Sequence, residues 1–294
     1  MHLFAPGHAG CPGCAPSTTL ILVCDTLGPD IIIVNATGCM EITSSQYPRT
    51  AWRVPYIHSL FENAPSVASG VSAALKAKGN DHTKVVVIAG DGATYDIGFG
   101  ALSGMLERGD DVIYVAYDNE LYANTGVQKS SATPFRAATT TTVVGEKHRG
   151  KETERKPIVE IVAAHNVSYA ASASISYYAD FQMKLRKAAT MKGSRFICVS
   201  APCCLGAGFD GALSMRVAKM QVQSRLWFLF EYENGQFRLN FDAGAPKPVK
   251  DYLSMQKRFK HLDEKQIEHI QKMADANYEK IKALCAVKTV DKKN

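Results

Sequence analysis

Apolar positions fall into two rhythms along this chain. Residues 85–89 and 112–116 are apolar without interruption; short runs of this kind read as strands buried on both faces of a parallel sheet. Residues 31–35 and 195–200 read as strands too. Elsewhere the apolar residues recur at helical spacing, over 17–27, 64–78 (rich in small residues, ending before Gly79-Asn80), 98–108 (ending at Gly109), 158–165 and 177–190. Helices alternating with buried strands predict an α/β fold with a doubly wound, mostly parallel sheet, in which 98–108 is the crossover between the two long apolar strands. Residues 125–155 are rich in Thr, Ser, Gly and charge without a clear period, and read as a long loop over a bound cofactor or a neighbouring subunit. After Lys247, charges of both signs alternate around a stripe of Phe259, Leu262, Ile267, Ile270, Met273 and Ile281, the pattern of a solvated helix face whose back lies on the core or a partner.

The chemistry begins where the two apolar runs end. Asp91 follows the first and Asn119 the second, 28 positions apart (119 − 91). Open α/β sheets bind their ligands outside the carboxyl ends of their strands. Magnesium there favours a near-octahedral oxygen shell shared with phosphates. Asp91, the Asn119 amide oxygen and the Leu121 carbonyl would leave room for two phosphate oxygens and a water, with Gly92 and Ala93 offering backbone N–H groups at a helix start. Gly90-Asp91-Gly92 alone also fits a simple turn closing a strand. The run from Asp118 through Glu120, Tyr122 and Asn124 to Gly126 at this distance resembles the second half of the thiamine diphosphate signature.

Cysteines form a second constellation. Cys11 and Cys14 have the C-x₂-C spacing, Cys39 follows 25 positions later (39 − 14), and Cys203 a further 164 (203 − 39). Four thiolates suit a structural zinc or a cubane iron–sulfur cluster, and spacing leaves both open. A thioredoxin-like pair is disfavoured because the loop residues Pro6 to Gly10 precede Cys11, where an apolar strand would be needed. A disulfide framework is disfavoured by chain length and apolar content.

Taken together, the chain resembles the β subunit of 2-oxoacid:ferredoxin oxidoreductases, of which pyruvate synthase is the commonest kind. Besides both constellations, the resemblance takes in Gly7-His8, Asn35-Ala36-Thr37-Gly38-Cys39, Tyr47-Pro48-Arg49-Thr50-Ala51-Trp52, Ser59 to Ala64, Gly90 to Gly98, Asn124 to Ser130, Thr133-Pro134 and Ala201-Pro202-Cys203. It implies a thiamine diphosphate domain with magnesium on Asp91, Asn119 and the Leu121 carbonyl. It adds Gly38, Cys39, Gly90, Gly92, Ala93 and Asn124 to the cofactor contacts, and a proximal 4Fe–4S cluster on Cys11, Cys14, Cys39 and Cys203. Asn124 would be catalytic, its neutral amide facing the cofactor ring and substrate; before Thr125-Gly126 it also fits an ordinary turn residue.

The activity so implied is oxidative decarboxylation of a 2-oxoacid, pyruvate first, with coenzyme A. The products are an acyl-CoA and carbon dioxide, and the electrons pass through the cluster to ferredoxin. The implied partners are an α subunit that holds the aminopyrimidine and a ferredoxin-like cluster subunit, with no nucleic acid and no membrane. The family pattern is broken twice: Ala15 replaces a common glycine, and Cys204-Leu205-Gly206-Ala207 replaces a usual Pro-x-Gly-Trp. The second departure makes Cys204 a rival to Cys203 and keeps 2-oxoisovalerate and oxalate open as substrates.

Composition adds limits. With 294 residues, 46% apolar and 21% charged, the chain can bury a full α/β core. It reads as one thiamine diphosphate domain over 1–294, with a cluster loop at about 7–41 and a helical extension at about 248–294. No apolar run approaches the roughly 18 residues that span a bilayer, and residues 1–10 lack a signal-peptide pattern, so a cytoplasmic location is expected. Net charge +6 and pI 8.8 could aid capture of an acidic electron carrier, although a solvated helix face accounts for much of that charge. Cys24, Cys198 and Cys285 read as small core fillers, and His8 and His165 receive no catalytic role. A non-redox thiamine decarboxylase or carboligase half with a structural zinc is the rival reading. It leaves four cysteines underused, while a purely zinc-stapled structural subunit leaves the magnesium motif without purpose.

Overall fold

The structure is a computed structural model and describes residues 2–287. One eight-stranded sheet organises it, with β1 (Ile31–Ala36), β2 (Tyr56–Ser59), β3 (Lys84–Gly90), β4 (Val112–Asp118), β5 (Tyr169–Ser174), β6 (Ser194–Ser200), β7 (Leu229–Glu233) and β8 (Gln236–Phe241). Their spatial order is β2-β1-β3-β4-β6-β5-β7-β8. The six from β2 to β5 are mutually parallel; β7 joins antiparallel to β5, and β8 folds back on it.

Alternate residues of the central strands feed two cores. On one face, helices Ala15–Leu27 and Tyr178–Thr190 cover Ile33, Val86, Ile88, Ile113 and Val115. On the other, helices Ala64–Ala77, Phe99–Glu107 and Ile158–Ala163 cover Val34, Val85, Val87, Val112 and Tyr114. A strand covered on both sides must be apolar at successive positions, which is why β3 and β4 were the clearest strands in the sequence.

Four strands escaped that reading. β5 is Tyr-Ala-Ala-Ser-Ala-Ser, fully buried but built from small residues with little strand signature. β2 has only four residues. β7 and β8 form a hairpin around Asn234-Gly235, both with positive φ (51° and 79°), and that dipeptide was a legible hairpin signal. Helix starts also shift: the first helix opens at Ala15 with Pro16 in its first turn, and a wide π-type turn, Gly92–Ile97, stands ahead of the crossover helix Phe99–Glu107.

Residues 125–157 contain no helix or strand beyond isolated bridges, as the absence of periodicity predicted. This segment is pinned to the carboxyl-terminal segment by a bond from Ala138 N–H to the Arg258 carbonyl (3.0 Å). The last long helix, Glu264–Ala286, opens with an Asp263/Gln266 capping box and buries Ile270, Ala274, Tyr278 and Ile281. Phe259 and Leu262 precede it. One correction concerns charge: Arg258 is buried, not part of a solvated face, because Glu120 waits for it inside. Residues 288–294 of the expected extension lie outside the described residues. No helix among the described residues is long and apolar enough to cross a membrane.

Candidate cofactor site at the carboxyl rim of the sheet

Gly90 pairs with Tyr117, so Asp91 and Asp118 leave β3 and β4 side by side, and Asp118 in turn pairs with Ser200 at the end of β6. Asp91, Asn119 and Cys203 therefore follow three adjacent parallel strands. Gly38 and Cys39 follow β1, the neighbour of β3. Parallel strands of near-equal length bring these segments, far apart in sequence, to one rim.

Asp91 is fully buried and accepts from the Ser130 hydroxyl. Burial, and then the charge of Asp118, hold its carboxyl well above the usual carboxylate range. A shielded carboxylate beside a second one is a place where a divalent cation supplies the missing charge. Asn119 is buried, and its amide oxygen accepts from Leu121 N–H (3.3 Å), which folds residues 119–121 into a tight turn around Glu120 (φ 69°). At Gly92 an added Cβ would stand 2.3 Å from the Tyr122 ring, and at Gly90 an added Cβ would stand 3.2 Å from the Tyr117 ring. Both glycines let a tyrosine ring pack directly on the backbone of the turn. Ala93 is buried in the same turn. The residues present fit a magnesium diphosphate.

Cys11 is exposed, Cys14, Cys39 and Cys203 are half-buried, and Cys204 is buried. The Cys11–Cys14 loop closes with Cys14 N–H on the Cys11 carbonyl (3.0 Å). Gly13 (φ 75°) lies so close to the Gly211 backbone that an added Cβ would stand 2.2 Å from its carbonyl oxygen. Ser214 Oγ donates to the Gly13 carbonyl (2.6 Å), and Cys204 Sγ reaches the Pro12 carbonyl at 3.7 Å. The first cysteine loop is thus seated directly on the segment after β6.

Burial, then charge on Cys203, Cys14 and Cys11, push the Cys39 thiol up to about 12; burial pushes Cys203 up to about 11, with Cys204 and Cys14 adding to it. Thiols raised in this way stay protonated and neutral at ordinary pH unless a cation balances their charge. All eight cysteines are free. Among the described residues, no three His, Cys, Asp or Glu side chains gather tightly enough to hold a single metal ion. Asn124 is exposed, in the turn closed by Gly126 N–H on the Ala123 carbonyl (3.3 Å).

A buried polar network, unforeseen from sequence, lies beneath the rim. Asp118 accepts from Tyr95 OH (2.5 Å), from Arg155 and from Glu120 N–H (3.0 Å). Glu120 is gripped by Arg258, Gln221, Arg155 and Tyr252. Glu120 and Ser130 lay inside recognised motifs, whereas Arg155 and Arg258 carried no local signal. Tyr117, at the head of the recognised run, was given no role; its hydroxyl would stand 3.0 Å from a Cβ at Gly38. A cavity of about 270 Å³ lies between this network and helix Glu264–Ala286, and neither Asp91 nor Cys11, Cys14, Cys39 or Cys203 lines it.

The family model for thiamine pyrophosphate enzymes, C-terminal TPP binding domain, matches residues 36–199, the stretch that carries Asp91 and Asn119. The fold and rim are those of a thiamine diphosphate-binding domain. Over 92% of its length the chain is 47% identical to pyruvate synthase subunit PorB of Methanocaldococcus jannaschii, covering 94% of that protein. Over 97% it is 42% identical to ketoisovalerate oxidoreductase subunit VorB of Pyrococcus furiosus, again covering 94% of that protein. In fold it is similar to a 2-oxoglutarate:ferredoxin oxidoreductase from Magnetococcus marinus (TM-score 0.59, 18% identity, 92% of this chain and 94% of that one). The chain belongs to the β-subunit family of 2-oxoacid:ferredoxin oxidoreductases.

Proposed function

We propose that this chain is the thiamine diphosphate-binding half of an oxidoreductase that converts pyruvate and coenzyme A to acetyl-CoA and carbon dioxide and delivers two electrons to ferredoxin. The observation that carries the proposal is the shared rim: Asp91, Asn119, Cys39 and Cys203 follow neighbouring strand ends, and the Cys11–Cys14 loop packs on the segment after Cys203. Asp91, Asn119 and the Leu121 carbonyl would hold magnesium, and Gly90, Gly92, Ala93, Gly38, Cys39 and Asn124 would contact the cofactor. Bound there, thiamine diphosphate supplies a nucleophilic carbon and an electron sink for decarboxylation. A 4Fe–4S cluster held by Cys11, Cys14, Cys39 and Cys203 would supply a one-electron acceptor.

The protein's own contribution is placement. Tyr122 and Ser130 fix the turn and the Asp91 carboxylate, and the rim would leave the cofactor's other side to a partner. An α subunit would close that side and hold the aminopyrimidine, and a ferredoxin-like subunit would carry electrons onward. The whole chain acts as one thiamine diphosphate domain, with its cluster loop at one end and its helical extension at the other.

The identity to a ketoisovalerate oxidoreductase subunit brings 2-oxoisovalerate into the test beside pyruvate. Enzyme co-purified anaerobically with its partners is analysed for iron, sulfide and zinc, reduced with dithionite for EPR, and assayed for coenzyme A-dependent viologen reduction. Pyruvate-dependent turnover with a reducible cluster signal is expected. Zinc without such a signal would overturn the redox reading and leave a non-redox thiamine subunit.

A further inference from the structure

Glu120 stands between Asn119 and Leu121, two of the three residues proposed to ligate magnesium, and its backbone is left-handed (φ 69°). A non-glycine residue keeps that conformation only where its surroundings over-determine it. Here they do. Its N–H donates to Asp118 Oδ1 (3.0 Å) and its carbonyl accepts from Thr133 Oγ1 (2.6 Å).

Its carboxylate is held from three separate parts of the chain: Gln221 Nε2 (2.6 Å) on helix Ser214–Gln223, Arg155 Nη1 (3.5 Å) at the end of the long loop, and Arg258 with Tyr252 OH (3.4 Å) in the carboxyl-terminal segment. Arg258 is the closest of these partners and is itself buried, oriented by Nε on Gln256 Oε1 (2.9 Å). Glu120, Gln221, Arg155 and Tyr252 also line the cavity of about 270 Å³, so a carboxylate released by Arg258 has space to swing into.

We propose that Arg258 is a positioning residue for the metal-binding turn: by anchoring the Glu120 carboxylate it keeps Asn119 and Leu121 in the arrangement that ligates magnesium. The carboxyl-terminal segment thereby takes part in cofactor binding from beneath the rim without touching the cofactor. This rests on the magnesium diphosphate reading given above.

The test uses the assembled enzyme, stripped of cofactor with a chelator, and titrates magnesium at saturating thiamine diphosphate by calorimetry. Arg258→Met is expected to raise the half-saturating magnesium concentration by roughly tenfold or more, the usual effect of removing an outer-shell support. Arg258→Lys should restore part of it. Glu120→Gln should resemble Arg258→Met, and the double variant should be no worse than the weaker single. Should Arg258→Met fail to assemble, Arg258→Lys and Glu120→Gln carry the test.

Arg195→Met is the control. It removes another buried arginine, paired with the half-exposed Asp111 at the opposite, amino-terminal end of the strands, and should leave magnesium half-saturation unchanged. Wild-type magnesium binding in the Arg258 and Glu120 variants, or an equal shift in the control, would overturn the positioning role alone. Absence of magnesium-dependent cofactor binding in the unaltered enzyme would overturn the cofactor reading as well.

Discussion

Gly92→Ala adds one methyl group at the tightest point of the proposed diphosphate cradle. The new Cβ would lie 2.3 Å from Tyr122 Cε1 and 2.7 Å from Cδ1 and Cζ, where ordinary contact begins near 3.4 Å, so the ring must retreat by about 1 Å. The ring is not free to do so. Its hydroxyl bonds Asp96 Oδ2 (3.2 Å) and the Gly92 carbonyl (3.4 Å), and its face meets Phe61 at 5.7 Å between centroids.

Losing one such hydrogen bond costs about 1 kcal/mol, and forcing a methyl into a packed site costs about 1–3 kcal/mol. In the cofactor-free enzyme the turn can relax. Binding alone demands that Asn119 and Leu121, just upstream of Tyr122, return to place, so most of the roughly 2–4 kcal/mol falls on binding. At about 1.4 kcal/mol per decade, thiamine diphosphate should bind roughly 30- to 1000-fold more weakly. Calorimetric titration of the magnesium-saturated, assembled enzyme measures this directly. Removing the obstructing ring with Tyr122→Ala in the same chain should recover part of the loss. Wild-type affinity in the single variant, or no recovery in the double, would refute the reasoning.

Other outcomes follow from the same geometry. Asp91→Asn should abolish magnesium-dependent cofactor binding while leaving the cofactor-free enzyme about as resistant to thermal unfolding, since burial already disfavours the charged form of this carboxyl; cofactor retention with and without chelator, together with a melting curve, tests both halves. Ser130→Ala withdraws the hydroxyl that orients Asp91 and should weaken magnesium roughly 10-fold or less, read in the same titration. Cys14→Ala should lower iron from about four per chain to near zero. Cys24→Ala, on the core face of helix Ala15–Leu27, should leave iron content unchanged.

Legibility in the sequence tracked the range of the interactions involved. β3 and β4 announced themselves because two covered faces require unbroken apolar runs, and Asp91 and Asn119 stand immediately beyond them. β5 did not, because its place depends on helices packing closely over alanine and serine, a tertiary fact. The crossover helix was visible, but the π-type turn before it reflects the fit of Gly92 against Tyr122, 30 positions on (122 − 92). Arg258 was misread for the same reason. Locally it is one charge among many, and only the 138-residue separation from Glu120, closed by folding, makes it a buried counter-ion. The cysteine spacings suggested a shared centre, and the contact of Gly13 with Gly211 shows how the loop reaches the segment after β6.

Both margins of the sheet are short strands, β2 of four residues and β8 of six. β2 offers only four residues, too few for a long backbone ladder. β8, at the other margin, returns as a hairpin and packs against helix Glu264–Ala286. A second polypeptide thus gains little by adding a strand of its own, the commonest accidental mode of association for an open sheet. Assembly is steered instead toward the end where the strands stop and the backbone groups of their last residues are left to loops. That geometry separates recognition from aggregation: the surface that needs a partner for chemistry is also the one at which joining a partner does not mean extending a sheet.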